Sequence, residues 1–117
     1  MVGFKLDEAW TVAGVAGEDL STKVNYLVKM NSSGEIVLAG ANEKALGSLF
    51  EAGAAGAAVS VAMGSILKVV ASAAIAKGAR VAVAAGGKAV TGTTNPVGMA
   101  LSSCAADGEL VSVAAVA

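Results

Sequence analysis

Few side chains in this sequence can act as nucleophiles, proton carriers or metal ligands. The 117 residues include no histidine and a single cysteine, Cys104. Without histidine, the Ser-His and Cys-His pairs of nucleophilic catalysis cannot form, and the commonest metal ligand is missing. One cysteine also excludes an intrachain disulfide and a cysteine-rich zinc site. Cys104 stands between Ser103 and Ala105 with no cationic residue nearby, so we expect a packed or semi-exposed thiol without special reactivity.

The carboxylates are concentrated in the first half of the chain. Seven of the nine acidic residues lie in residues 1–51, and none lies in residues 52–106. General acid–base catalysis and the binding of hard cations both need carboxylates close together. We therefore expect no enzymatic activity, no metal site and no bound cofactor.

Charge and hydropathy argue against two further classes of partner. The net charge is −1, and the eight lysines and arginines are spread singly, whereas nucleic-acid binding needs clustered basic residues and stacking aromatics. The mean hydropathy is +0.72. However, the uncharged runs 52–67 and 89–106 contain Gly, Ser, Thr, Asn and Pro, so neither is the ~20-residue apolar span of a transmembrane helix. Residues 1–10 lack the apolar core of a signal peptide. We expect a soluble protein made inside a cell, with no nucleic-acid or membrane partner.

Apolar residues recur with a period of two in several short segments. In residues 23–30, Val24, Tyr26, Val28 and Met30 share one face. Residues 59–62, 81–84, 97–102 and 111–114 alternate in the same way, and Gly-, Asn- and Asp-containing turn sequences separate these segments. This pattern predicts short, half-buried strands joined by tight turns. We therefore predict an all-β fold, either a small barrel or a sandwich.

The chain contains an internal repeat of about 52 residues. Gly34 recurs as Gly87, Gly47 recurs as Gly98, and residues 56–61 recur as 108–113, at offsets of 53, 51 and 52. Because neither unit can bury its apolar face alone, we expect the two units to close into one barrel with a pseudo-twofold relation. Residues 1–17 lie outside the repeat. The predicted organisation is an N-terminal arm, 1–17, followed by a single β domain, 18–117.

The order of motifs in residues 18–117 resembles a known family. The motifs are a Gly-x-[Val/Ile] turn at 34–37, an x-Leu/Val-Gly strand at 45–47, Ala-Ala-Gly-x-x-Val-x-Val at 54–61, Gly-x-[Ile/Val]-x-x-Val at 64–69 and Ala-x-x-x-Ile-x-x-Gly at 71–78. The first unit then recurs to the end of the chain. Together they resemble the small Ala/Gly/Val-rich capsid cement, or head-decoration, proteins of tailed bacteriophages.

The resemblance implies a structural protein with no catalytic residues. Such proteins bind the outside of an expanded phage head between capsomers, commonly as trimers and in some cases as dimers, and strengthen the shell against the pressure of packaged DNA. The implied partners are the major capsid protein and further copies of this chain. The implied location is the exterior of the virion, after synthesis in the host cytoplasm.

The arm contains the residues that we expect to contact the capsid. Val2, Phe4 and Leu6 alternate, and Trp10 follows them. A segment of this pattern can add a strand to the sheet edge of another protein and anchor it through an aromatic side chain. It could equally cover the open end of the chain's own β domain, and the sequence leaves both interpretations open.

Lys29 offers an alternative function. A lysine followed by Met30 in a β context is similar to the carrier lysine of biotinyl or lipoyl domains, which are two-unit β-barrels with that lysine at a hairpin turn. In this sequence Val28 precedes the lysine, where those domains have methionine or an acidic residue. A carrier module or a module that binds a small partner is therefore the second hypothesis, and a solvated strand lysine is the simpler explanation.

Overall fold

Ten β-strands form two antiparallel five-stranded sheets in the computed structural model, which describes residues 11–115. The first sheet has the order β1-β5-β4-β2-β3 and contains β1 (Thr11–Val15), β2 (Leu27–Met30), β3 (Ile36–Leu38), β4 (Gly47–Glu51) and β5 (Ala58–Ala62). The second has the order β6-β10-β9-β7-β8 and contains β6 (Ile66–Val70), β7 (Arg80–Val83), β8 (Ala89–Thr91), β9 (Gly98–Ala100) and β10 (Leu110–Ala115). The second order is the first with five added to every strand number. The all-β class is confirmed, and so are two similar units.

The pairing register shows where each unit begins. Thr11 lies opposite Ala62 in the first sheet, and Ile66 lies opposite Ala114 in the second. β1 is therefore the counterpart of β6, so the first unit spans residues 11–62 and the second spans 66–115. Residues Thr11–Val15, which lie within the predicted arm 1–17, form the first strand of the first unit.

The sheets curl but do not close, so the expectation of one closed barrel is wrong. The end of β1 meets β3 through a single bridge between Ala16 and Ile36, and the second unit repeats it between Ala71 and Ala89. β1 and β3 remain edges of the first sheet, and β6 and β8 remain edges of the second.

Each curled sheet encloses a small apolar core. The first core contains Ala16, Leu20, Val28, Ile36, Leu49, Val59 and Val61, and the matching positions of the second are Ala71, Ile75, Val81, Ala89, Ala100, Val111 and Val113. The second core is built from smaller side chains, since alanines replace Ile36 and Leu49. It is completed by Leu27, Ala39 and Ala62 of the first unit, which belong to the same buried cluster.

The two units contact each other head to tail, and the expected pseudo-twofold relation is wrong. The Val70 N–H donates to the Asn25 carbonyl at 3.0 Å, and the Asn42 N–H donates to the Val83 carbonyl at 2.9 Å. A twofold relation would place Gly78, the counterpart of Asn25, against Val15, the counterpart of Val70. Instead the Val15 side chain is 47% exposed. Each unit therefore uses a different surface in the contact.

The strand predicted at 23–30 is shorter and faces differently than its alternation suggests. β2 begins at Leu27, and both Leu27 and Val28 are fully buried, whereas Val24 and Met30 are exposed. Val28 lies in the first unit's own core, while Leu27 lies under the second unit. A strand covered on both faces loses the apolar–polar alternation that a half-buried strand shows.

Candidate interaction surface

The predicted capsid contacts Val2, Phe4, Leu6 and Trp10 lie outside the described residues. β1, which follows Trp10 directly in the sequence, lies at the edge of the first sheet. An edge strand has a row of N–H and C=O groups available to another chain. The described part of the protein therefore presents a pairing edge immediately after the four predicted contact residues.

The contact between the units defines two surfaces that occur once in each unit. We call the surface of the first unit that packs against the second unit the docking face; its residues are Asn25, Leu27, Asn42, Ser48 and Ala62. We call the surface of the second unit that packs against it the receiving face; its residues are Leu67, Val70, Val83 and Gly87. Leu27, Ala62, Leu67 and Val83 belong to one buried cluster. The Leu27 carbonyl oxygen lies 2.7 Å from the point where a Cβ on Gly87 would stand, so this approach requires glycine.

The counterparts of these faces, a receiving face on the first unit and a docking face on the second, are left exposed, except that the Asn95 side chain contacts Asn42. Counting by the strand register, the free receiving face of the first unit consists of Val12, Val15, Met30 and Gly34. The free docking face of the second unit consists of Gly78, Arg80, Asn95, Met99 and Ala114. Val12, Val15, Met30 and Met99 are all among the exposed large apolar residues. The sequence pattern did not identify these residues, although the repeat offset could have located them.

Two asparagines hold the turns at which the units meet. Asn42 and Asn95 are separated by the repeat offset, and both have a positive φ, 61° and 47°. This left-handed conformation is one that asparagine adopts more readily than most residues. The Asn95 side-chain amide donates to the Asn42 carbonyl at 2.8 Å. The peptide bond before Pro96 is trans.

Lys29 is held in an ion pair within the body of a strand. Its Nζ donates to Glu43 Oε1 at 2.8 Å, and the same oxygen accepts the Gly40 N–H at 2.6 Å. These two hydrogen bonds, the Lys29 contact being the larger effect, lower the pKa of Glu43. The carboxylate thereby fixes the turn that presents the Asn42 N–H to the second unit. Lys29 does not occupy the hairpin tip that a carrier lysine needs, which argues against the carrier alternative.

Replacing Glu43 by glutamine tests this turn. The pKa of Glu43 lies below its ordinary value of 4.5 in the folded chain, so its contribution to stability is present above that pH and is lost as the pH falls through the folded pKa. We expect the midpoint of thermal unfolding of Glu43→Gln to lie below that of the unmodified chain at neutral pH and to converge with it in acid. Lys44→Gln removes the neighbouring charge as a control and should show no such convergence. A difference for Glu43→Gln that persists unchanged in acid would contradict the assignment.

Two other ionisable groups have shifted pKa values with local causes. A hydrogen bond from Lys88 to Asp107, 2.8 Å long, raises the pKa of Lys88. Hydrogen bonds from Ser21, through its hydroxyl and its backbone N–H, lower the pKa of Asp19. Both sets of partners lie in or beside turns, so these groups stabilise loops rather than form a reactive cluster.

Cys104 has a structural position. It exchanges backbone hydrogen bonds with Ile75, and its Sγ lies 3.5 Å from the Ala73 carbonyl. It is half-buried at the margin of the second core. Among residues 11–115, no group of three His, Cys, Asp or Glu side chains could hold a metal ion. The same residues contain no helix of the length and hydropathy that crossing a membrane requires.

A cleft of about 640 Å³ lies between the units, beside the free docking face. Its lining comes from the turn after β3, the connection between β5 and β6, and residues 95–97. Arg80 and Asn95, which line it, also belong to the free docking face. Residues of both units therefore line the cleft, and two residues of the free docking face lie at its margin.

Comparison with known proteins identifies the fold. No protein-family model matches the sequence, and no curated protein matches it. Among solved structures, the chain is similar to the head fiber gp8.5 N base of bacteriophage phi29, with a TM-score of 0.77 and 18% sequence identity over 93% of this chain and 95% of that chain. At this identity the comparison shows that the two chains share one fold over nearly their whole length.

Proposed function

We propose that this chain is a structural protein of a tailed-bacteriophage head, which binds the outside of the expanded shell between capsomers and stabilises it. In this proposal its partners are the major capsid protein and two further copies of itself, in a homotrimer on the exterior of the virion. The observation that carries the proposal is the fold shared with a phage head fiber base over nearly the whole chain. The cement-protein motifs in residues 18–117 support the same assignment.

The exposed surface suits a protein that works by contact. Its large apolar residues are spread over strand edges and loops: Val12, Val15, Val24, Met30, Phe50, Met63, Ile66, Met99, Leu101 and Leu110. The body measures 40 × 36 × 22 Å, and a flattened shape offers broad faces to a shell. Many copies bound to one capsid need only modest affinity each, because the contacts act together.

Deletion of residues 1–10 tests the role of the arm. The deletion stops before β1, so the first sheet is kept intact. We expect a folded, soluble protein that no longer co-sediments with expanded heads. If the truncated protein binds heads as well as the full chain, the arm is not the capsid contact. If it is insoluble, residues 1–10 cover the chain's own domain instead.

A single substitution sharpens this test. We expect Trp10→Ala to weaken head binding by about tenfold or more, because buried aromatic anchors commonly contribute 2 kcal/mol or more to an interface. Phe50→Ala is the matched control, since Phe50 is an aromatic residue outside the arm and is 56% exposed. Its binding should stay within about twofold of the unmodified chain. Equal losses from both variants would contradict a specific role for Trp10.

The solved neighbour also favours a second candidate function, the base of a head fiber. Such a base would bind the head as a cement protein does and would in addition carry a fibre. Electron microscopy of heads decorated with the purified chain distinguishes the two. If the purified chain alone adds density to the shell surface, the result supports a cement protein. If the chain binds heads only when a fibre segment is attached to it, the result supports a fibre base.

A further inference from the structure

The same positions of the two units have different environments. Val70 and Val83 of the covered receiving face are 9% and 1% exposed, whereas their counterparts Val15 and Met30 are 47% and 51% exposed. Leu67 is buried, and its counterpart Val12 is exposed. The free receiving face has therefore kept the apolar character of the covered one without the neighbour that covers it.

The free docking face shows the same difference. Ser48 is buried, while its counterpart Met99 is 43% exposed. The second unit therefore has a large, exposed apolar side chain where the first unit has a small, buried serine. Exposed apolar side chains grouped on one surface mark interaction sites, and Val12, Val15 and Met30 form such a group on the free receiving face.

The backbone groups that join the two units are repeated at the free ends. The Asn25 N–H donates to Leu49, and the Gly78 N–H donates to the matching Ala100. Asn25 and Gly78 also share a positive φ, 71° and 89°. The Gly78 carbonyl therefore has the same orientation in its unit as the Asn25 carbonyl, which accepts the Val70 N–H.

The matching donor is on β1. The Ala16 N–H points into the first sheet, where it donates to Ala57. Because successive N–H groups of a strand alternate in direction, the Val15 N–H points out of the sheet edge, as the Val70 N–H does in β6. Val15 of one copy can thus donate to Gly78 of another.

The free receiving face also has room for a backbone approach. Within the chain, the Leu27 carbonyl oxygen lies against Gly87. The counterparts of these two residues are Arg80 and Gly34, and no atom lies within 4 Å of the point where a Cβ on Gly34 would stand. The space that the Arg80 carbonyl of another copy would need is therefore open at Gly34.

We propose that copies of this chain associate head to tail, the docking face of the second unit of one copy covering the receiving face of the first unit of the next. The contact repeats between chains the interface that already joins the units within a chain. Heterologous contacts of this kind close into a ring when the rotation permits, and three copies would give a ring of six similar units. The inference rests on the self-association in the proposed function, but it is tested without heads, so its failure and the failure of head binding are separate results.

A mixing experiment tests the proposal with the full chain. Val15→Asp places a charge on the free receiving face, and Met99→Asp places one on the free docking face. In a head-to-tail contact each variant keeps one intact face. We expect the unmodified chain to be oligomeric by size-exclusion chromatography with light scattering, and each variant alone to be monomeric at 11.2 kDa. An equimolar mixture should form a one-to-one dimer and nothing larger.

The controls make every outcome informative. Ala55→Asp places the same charge on an exposed turn outside both faces and should leave the oligomer unchanged. Thermal unfolding of each variant confirms that it is folded. A monomeric unmodified chain would overturn the proposal, as would single variants that remain oligomeric. A mixture that stays monomeric at the highest soluble concentration would also overturn it. In that mixture the intact docking face of Val15→Asp meets the intact receiving face of Met99→Asp, so a head-to-tail contact would have to form.

Discussion

Gly98→Ala is expected to destabilise the protein by about 3 kcal/mol, at the upper end for overpacking. A Cβ at Gly98 would overlap the carbonyl oxygen of Ala114 on β10 and lie 2.7 Å from its carbonyl carbon. The obstacle is backbone, so no side chain can rotate away, and β9 would have to separate from β10. In a domain of this size the midpoint of thermal unfolding should fall by roughly 12 °C or more.

Gly108→Ala is the control for this substitution. Gly108 has a φ of +90°, and no atom lies within 4 Å of its missing Cβ, so only the backbone conformation is strained. That strain costs about 1–2 kcal/mol. Gly47, which occupies the position of Gly98 in the first unit, would bring its Cβ against Ala62 and should behave as Gly98 does. If Gly98→Ala were no more destabilising than Gly108→Ala, the close strand approach would be refuted.

Leu27→Ala should lower the free energy of unfolding by about 3 kcal/mol. Its side chain is fully buried and packs in the cluster that fills the second core. Truncation leaves a cavity between the two units, which the rigid strands around it can close only in part. Chemical denaturation by urea measures the loss, and Leu27→Met, which preserves the volume, should cost less than about 1.5 kcal/mol.

The repeat supplies a matched control for Leu27. Arg80 occupies the same position in the second unit but is exposed. Arg80→Ala should therefore change the stability of an isolated chain by only about 0.5 kcal/mol. Both variants are compared in a chain that also carries Val15→Asp, which keeps it monomeric. Similar large losses for Leu27→Ala and Arg80→Ala in that monomer would mean that both units are covered within one chain, and the head-to-tail contact between the units would then be wrong.

An asymmetric contact between two similar units explains the composition of the chain. The first unit contributes Leu27, Ala39 and Ala62 to a second core that has alanines where the first core has Ile36 and Leu49. A thin core of small side chains stays buried because a neighbouring unit covers it. The same reasoning leads from the exposed ends of the chain to association between copies.

The sequence by itself determined the strand content, the duplication and the scarcity of reactive groups. Alternation in segments such as 81–84 and 111–114 is a local property of a pleated strand, and the Val-Ser-Val strand recurs in register as β5 and β10. The sequence could not show that residues 11–15 pair as β1, because a strand with exposed apolar residues resembles a flexible arm. The four predicted contacts in residues 1–10 remain predictions.

Only the tertiary structure decided which faces are covered. Leu27 and Arg80 occupy one repeat position, and one is buried while the other is exposed. Val15 and Val70 are the same residue at one repeat position, yet only Val70 lies under a neighbouring unit. The period of a strand fixes which side chains share a face, but burial of that face depends on elements distant in the sequence. The orientation of the two units, and with it the pair of uncovered faces, is set by those long-range contacts.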